Sequence, residues 1–440
     1  MRYRTNVSAA RLDAASAPID GGEGSDTLYG TADRDLMRGF GGDDYMNGGL
    51  GPDRMSGGDG RDYLDGYKGA DRLWGDEGND TLKGSAGDDV LSGGGGADRL
   101  DGDEEFRQHV RGGDDLLMGG EGADSLTSLT GRDTLAGGAG DDLLIRYDGD
   151  ATLLGGDGED VIDANLAMSA GVVVDGGNQG AGEADYFKVL TASSEGPLAF
   201  DLRACAAGEV QTLAGGATVV GIERVSFNIG NGADNLFIGY DFQDVVGGGT
   251  GDDTLYGGGG DDVLHGGRGG LSLIHGEDGN DFLLTNCPGE LYGGEGDDRL
   301  LATRTDPSMN VSLDGGAGND TLSGGAGVDR MRGGAGADVF RYESRKDSAP
   351  SATGQTTDLI LDLGDDDLIH LLKVDADSQT AGNQAFVLVE AFSGAAGELR
   401  LRYDAGTDMT FIEGQTDDHA GIDFMIRVRG DHADFEGFVL

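Results

Sequence analysis

The chain writes almost the same nine letters over and over: GGEGSDTLYG opens at 21, GGDGRDYLDG at 57, GGGGADRLDG at 93 and GGAGDDLLIR at 137. Starts at 21, 30, 39, 48, 57, 66, 75, 84 and 93 are nine residues apart, and GDEEFRQHV from 102 interrupts them. The frame resumes at 110 and continues at 119, 128, 137, 146 and 155. A second block begins near 230, is clear at 248, 257 and 266, slips by one residue around His275, and resumes at 276, 293, 315, 324 and 333. A fixed short period demands a solenoid, because each unit can bury its apolar side only against the next. Each unit reads G-G-x-G-x-D-x-U-x, with U a large apolar residue. The first six positions suit a turn, where glycine permits positive φ and close backbone approach. The last three form a short strand whose alternation sends U to one face. Leu28, Met55, Leu64, Leu73, Leu82, Leu91 and Leu100 then stack along one interior. Two units make a coil of 18 residues, and coils stack about 4.8 Å apart. The expectation is an all-β, right-handed parallel β-roll (β-helix) solenoid in two blocks, with intervening and C-terminal β segments. Its parts are an N-terminal extension over 1–20, a first roll over 21–163, a non-repeat β segment over 164–229, a second roll over 230–341 and a C-terminal β domain over 342–440.

The core of such a coil is thin. One apolar side chain in nine residues buries too little area to offset an ordering cost of about 1–2 kcal/mol per residue, and 87 glycines in 440 residues make that cost larger. Charge works against folding too. With 82 acidic and 31 basic residues the formal net charge is −51, which excludes nucleic acid and anionic lipid as partners. Composition alone describes a disordered acidic chain, yet the acids hold fixed positions beside regularly spaced apolar residues. The sixth position carries Asp26, Asp53, Asp62, Asp71, Asp80, Asp89 and Asp98, then Asp124, Asp133, Asp142 and Asp160. In the second block it carries Asp253, Asp262, Asp281, Asp298, Asp320, Asp329 and Asp338. Stacking aligns these carboxylates in two columns along the turn edges. One Asp in a turn needs no metal, since Asp serves turns everywhere. A whole column of unpaired anions does need a cation. Oxygen ligands without nitrogen or sulfur suit a hard ion that accepts six to eight of them, Ca²⁺ rather than the octahedral Mg²⁺. Metal binding and folding then become one event, from a disordered metal-free chain to a β-rich loaded one.

The nonapeptide resembles the calcium-binding repeat of RTX proteins over most of residues 21–163 and 230–341. The resemblance implies multiple Ca²⁺ ions, each between repeats n and n+2, held by the Asp carboxylate and turn carbonyls. Nine registers would allow 9 − 2 = 7 sites within 21–101. GTADRDLMR at 30 lacks the second glycine, SLTGRDTLA at 128 lacks both leading ones, RYDGDATLL at 146 has Ala151 in place of Asp, and GGRGGLSLI at 266 has Leu271 there, so weak or empty sites, or bends in the stack, are expected at these repeats. From GGAGADVFRYESRKDS through TTDLILDLGDDDLIHLLKV the chain resembles the C-terminal domain of serralysin-type secreted metalloproteases, and its last residues, DFEGFVL, resemble that family's uncleaved type I secretion signal. There Phe438, Val439 and Leu440 would be the apolar end, with Asp434 and Glu436 upstream; the plainer reading is an edge strand. The N-terminus has no apolar stretch of the kind a cleaved signal carries. Export by type I machinery to an extracellular location is implied. Low cytosolic calcium would keep the chain unfolded for transport, and high calcium outside would fold the emerging end.

No catalytic motif accompanies the repeats. Of His109, His265, His275, His370, His419 and His432, none lies in H-E-x-x-H. G-x-S-x-G and Walker A sequences are missing. His265 and His275 read as surface residues at turn edges, and Trp74 as an outward strand side chain. Cys205 and Cys287 read as free or buried thiols, with a bridge between them left open. The expectation is a non-enzymatic, secreted calcium-binding RTX protein with a structural, matrix or surface role and with self-assembly, cell-surface contact or polysaccharide contact. The alternatives are a module or remnant of a secreted hydrolase or epimerase, and an adhesin.

Overall fold

The computed structural model describes residues 17–103, 113–164, 171–178, 184–189, 198–213, 217–228, 232–303, 309–349, 357–379, 383–417 and 421–440. Most of the N-terminal extension, the core of the insertion with His109, and His419 lie outside the described residues. The chain forms two compact units, residues 1–195 with 200–228 and residues 196–199 with 229–440.

The first unit is built as the period dictates. Successive repeats alternate between two parallel sheets. One contains Leu36–Gly41, Arg54–Asp59, Arg72–Glu77 and Val90–Gly95; the other contains Thr27–Tyr29, Tyr45–Asn47, Tyr63–Asp65 and Thr81–Ser85. Each strand pairs with the strand two repeats on: Leu64 faces Leu82, and Leu73 faces Leu91. The eighth positions point inward and stack, so Met55, Leu64, Leu73, Leu82, Leu91 and Leu100 are all fully buried, as expected from alternation. The residues beyond 163, which carry no period, extend the same sheets. Val173–Asn178 pairs with Asp150–Asp157, placing Val174 against Leu153, and Tyr186–Val189 places Phe187 against Ile162. The nine-residue spacing is lost here but the paired glycines are not: a Cβ on Gly176 would lie 2.2 Å from Asp185 Oδ2, and Gly177 holds φ +119° against the Gly156 carbonyl. The helix Leu202–Ala206, capped by Asp201, is the one helix among the described residues.

The second unit repeats the design. Asp253–Gly259, Ser272–Asp278, Gly289–Glu295, Val311–Ala317 and Arg330–Ala335 form one parallel sheet. Val263–His265, Phe282–Thr285, Arg299–Ala302, Thr321–Ser323 and Val339–Arg341 form the other. Register corrects the reading at 266. Asp253 aligns with Ser272, not Leu271. The extra residue therefore lies in the turn before Ser272, and the strand holding His275 is in frame. An antiparallel set closes the unit: Glu398–Asp404, Met409–Gln415 and Phe424–Arg429, the last of them parallel to Leu359–Ile360. Glu413 is buried there, bonded to Arg400 and, at 2.9 Å, to Arg402. The terminal Phe438–Val439 is a two-residue strand beside Leu368–His370.

Candidate metal-binding columns

The sixth position ends the turn and begins the strand, so its side chain points inward at the turn edge. There the aspartates form ladders. In the first unit the amide of Asp44 donates to Oδ1 of Asp62, Asp62 to Asp80, Asp80 to Asp98, Asp98 to Asp124, Asp124 to Asp142 and Asp142 to Asp160, all at 2.7–2.9 Å. The opposite edge runs Asp35, Asp53, Asp71, Asp89, Asp115, Asp133. In the second unit one edge runs unbroken through Asp244, Asp262, Asp281, Asp298, Asp320, Asp338 and Asp367. Asp26 begins the first ladder, half-buried, donating to Asp44.

At most rungs the ladder satisfies only one carboxylate oxygen; Asp35 and Asp367 are exceptions, their Oδ2 accepting from Thr31 and from the Gly364 amide. Oδ2 of Asp53, Asp62, Asp80, Asp142, Asp262, Asp298 and Asp320, among others, is buried with no hydrogen-bond partner. A buried anion with an unfilled oxygen is costly, and the titration of these groups reflects that. Burial, opposed by the bond from the Asp244 amide and reinforced by Asp244, Asp281 and Asp261, pushes Asp262 up to about 9. Burial likewise pushes Asp115 to about 8 and Asp53 and Asp80 to about 7. The orphan oxygen faces glycine at position one: a Cβ on Gly57, Gly93, Gly257 or Gly293 would come within 2.0–2.2 Å of the Oδ2 of its own repeat's aspartate. At position four the turns themselves converge. Gly78 holds φ +136°, and a Cβ there would lie 1.6 Å from the carbonyl oxygen of Gly60. Carboxylate oxygens and turn carbonyls are thus packed along one edge. Among the described residues no three His, Cys, Asp or Glu side chains converge on one point, so a metal shell here would have to draw on backbone carbonyls.

Residues beyond the full motif join the ladders. Asp35, Asp44, Asp115 and Asp244 stand at the sixth position of the repeats beginning at 30, 39, 110 and 239; counting in nines finds them where the glycine-led pattern does not. Asp185, Asp358 and Asp367 extend the ladders outside the period, and only register reveals them. Two edges are interrupted. In the first unit Asp133 faces Ala151. In the second, Asp253 is followed by Ser272, Gly289 and Val311 before Asp329 resumes. Ser272 Oγ lies 2.9 Å and Thr285 Oγ1 3.3 Å from the Cys287 thiol, a neutral cluster in place of carboxylates. Cys205 and Cys287 are both buried free thiols, which closes the question of a bridge, and burial pushes Cys205 up to about 12.

The histidines correct one expectation. His275 is half-buried within a strand, its ring stacked between Tyr256 and Tyr292 at 4.8 and 4.6 Å, and His265 is half-buried with Nε2 2.9 Å from Asn286. Both side chains come from the strand's ninth position; His275 stacks on its coil-spaced neighbours, and His265 is held by Asn286 instead of lying free at a turn. Trp74 is outward in its strand, as expected. A groove of about 840 Å³ runs beside the interrupted edge of the second unit, lined by Leu271, Glu290, Arg330 and Arg427 among others. Glu290 accepts the Tyr292 hydroxyl at 2.7 Å and Arg427 is bonded to Thr357, so both side chains already have partners within the fold. Among the described residues no helix is long and apolar enough to cross a membrane.

Stacked parallel coils with glycine turns and inward aspartate ladders define an RTX-type β-roll. The family described as peptidase M10 serralysin C terminal matches residues 4–440, and the chain belongs to it. Two solved structures from the Azotobacter vinelandii mannuronan C5-epimerase are similar. The AlgE6R3 subunit is 26% identical with a TM-score of 0.21, over 46% of this chain and 80% of that one. The AlgE6R2 subunit is 27% identical with a TM-score of 0.23, over 41% and 88%. No curated protein matches the chain.

Proposed function

We propose that this chain is a calcium-driven folding module of an extracellular protein, without chemistry of its own. The observation that carries the reading is the ladder of buried aspartates, in which Oδ1 is satisfied by the neighbouring coil while Oδ2 of Asp53, Asp62, Asp80, Asp142, Asp262, Asp298, Asp320 and others is left unfilled. Bound calcium would supply the positive charge and the oxygen coordination that these columns lack. The residues that would hold it are Asp26, Asp53, Asp62, Asp71, Asp80, Asp89, Asp98, Asp124, Asp133, Asp142 and Asp160, with Asp253, Asp262, Asp281, Asp298, Asp320, Asp329 and Asp338. Asp35, Asp44, Asp115 and Asp244 share their register and join them. Ordering the glycine turns costs more than the single inward row of apolar side chains returns, so the ion decides whether the roll forms. Membership in a family of C-terminal domains supports a second, compatible reading: the rolls are the non-catalytic part of a larger secreted enzyme. Export through type I machinery, with the terminal Phe438, Val439 and Leu440 read as its signal, completes the proposal.

The test is far-UV circular dichroism of the purified chain in chelator and through a calcium titration, with magnesium in parallel. A cooperative β signal with calcium alone is expected. A spectrum already β-rich in chelator and unchanged by calcium would remove the basis of the proposal.

A further inference from the structure

One coil breaks the pattern in two places at once. In the repeat beginning at 146, position one is Arg146 where glycine belongs, and position six is Ala151 where aspartate belongs. Arg146 is paired between Ser128 and Ala164 in its sheet, so its side chain starts in the row that elsewhere lies against the Oδ2 oxygens. It does not escape to solvent. Arg146 is 2% exposed, and it heads the largest fully buried side chains among the described residues. Its Nη2 donates to the Gly149 carbonyl of its own turn, while Nε and Nη1 have no hydrogen-bond partner. The carboxylates acting on the guanidinium are Asp148 and Asp150 of the same turn and Asp133 of the preceding coil. Asp133 is the last aspartate of its column; it faces Ala151, and its Oδ2 is unfilled. Guanidinium stays charged when buried, and an isolated buried cation would be prohibitive.

We propose that Arg146 is a built-in cation that takes the place of a metal ion at the end of this aspartate column. The inference rests on the calcium reading above. Along the column the charges match in either case: a divalent ion would face Asp133 and an aspartate at 151, and one guanidinium faces Asp133, with Asp148 and Asp150 of its own turn adding negative charge that favours a cation there. The two replacements therefore compensate each other. Losing the carboxylate at 151 removes an anion and leaves room, and Arg146 fills both deficits. The coil at 146–154 takes no calcium, and the column ends there on a charge that chelation cannot remove.

The experiment counts calcium bound per full-length chain by equilibrium dialysis, and follows hydrogen exchange of Asp150–Asp157 at saturating calcium. The double substitution Arg146→Gly with Ala151→Asp restores the repeat and should bind one more calcium than the parent. Arg146→Met should leave the count unchanged and lower protection of Asp150–Asp157 about tenfold or more, because the carboxylates of Asp133, Asp148 and Asp150 lose a nearby buried cation. Arg146→Lys should recover part of that protection. If the double variant is β-rich yet gains no calcium, or if Arg146→Met leaves both count and protection as in the parent, the inference is wrong. A parent chain that binds no calcium would instead overturn the proposed function, so the two failures are distinguishable.

Discussion

Acid should do in part what calcium does. In the unbroken ladder of the second unit, burial raises Asp262 from 3.8 to about 9, Asp298 to about 7, and Asp281 and Asp320 to about 6. A carboxyl whose pKa is raised on folding binds its proton more tightly in the folded state. Its contribution is therefore fully present below the unfolded pKa of 3.8 and is lost as pH rises through the folded pKa. Near pH 5 all four are protonated when folded and mostly ionised when unfolded, so folding takes up about four protons. At about 1.4 kcal/mol per proton per pH unit, metal-free stability rises by roughly 5 kcal/mol per unit as pH falls there. That is comparable with the whole stability of a small domain. The assay is far-UV circular dichroism in chelator from pH 8 to pH 5. We expect β signal to grow on acidification without any metal. Reducing the net charge of −51 also favours compaction, but that effect is screened by salt whereas buried carboxyls are not. The transition should therefore persist in high salt. Asp262→Asn, neutral at every pH, should shift its midpoint upward. A chain that stays unfolded in chelator down to pH 5, or a transition abolished by salt, would refute the reasoning.

Other expectations follow from single contacts. Leu283→Ala removes a fully buried side chain from the inward row and should cost about 2–5 kcal/mol, read as a higher calcium midpoint of the β signal. Gly78→Ala puts a Cβ 1.6 Å from the Gly60 carbonyl at φ +136°, and should raise that midpoint more than an alanine at the open position Gly24. Glu413→Ala leaves Arg400 and Arg402 without their shared carboxylate and should destabilise the antiparallel sheet by about 2–3 kcal/mol, less than for a fully buried pair because both arginines reach solvent; urea unfolding of the loaded chain measures it. Cys205 and Cys287, both buried, should resist a thiol reagent in calcium and react in chelator at pH 8.

Much of the architecture is legible before any coordinates, because a nine-residue period leaves few ways to fold. Alternation puts Leu64, Leu73 and Leu82 on one inward face, and the same count puts Asp62, Asp71 and Asp80 at the turn edge, since both follow from where each letter falls in the repeat. What the motif conceals, register supplies. The repeat of Asp35 lacks the second leading glycine and that of Asp115 lacks both, yet each keeps its rung, whereas Asp185 and Asp358 have no nine-residue spacing to mark them and are placed only by the strands that follow. Val174 and Phe187 continue the core outside the nine-residue spacing, on either side of Gly176 and Gly177, whose close contacts match those of the repeat glycines. The stacking of His275 between two tyrosines, the Ser272–Thr285–Cys287 cluster and the burial of Arg146 are tertiary facts. Each joins residues a coil or more apart along the chain, and no local pattern tells which neighbour a side chain will meet. The repeat determined the coil and the column; the stacking of particular coils decided where the column is broken and what fills the break.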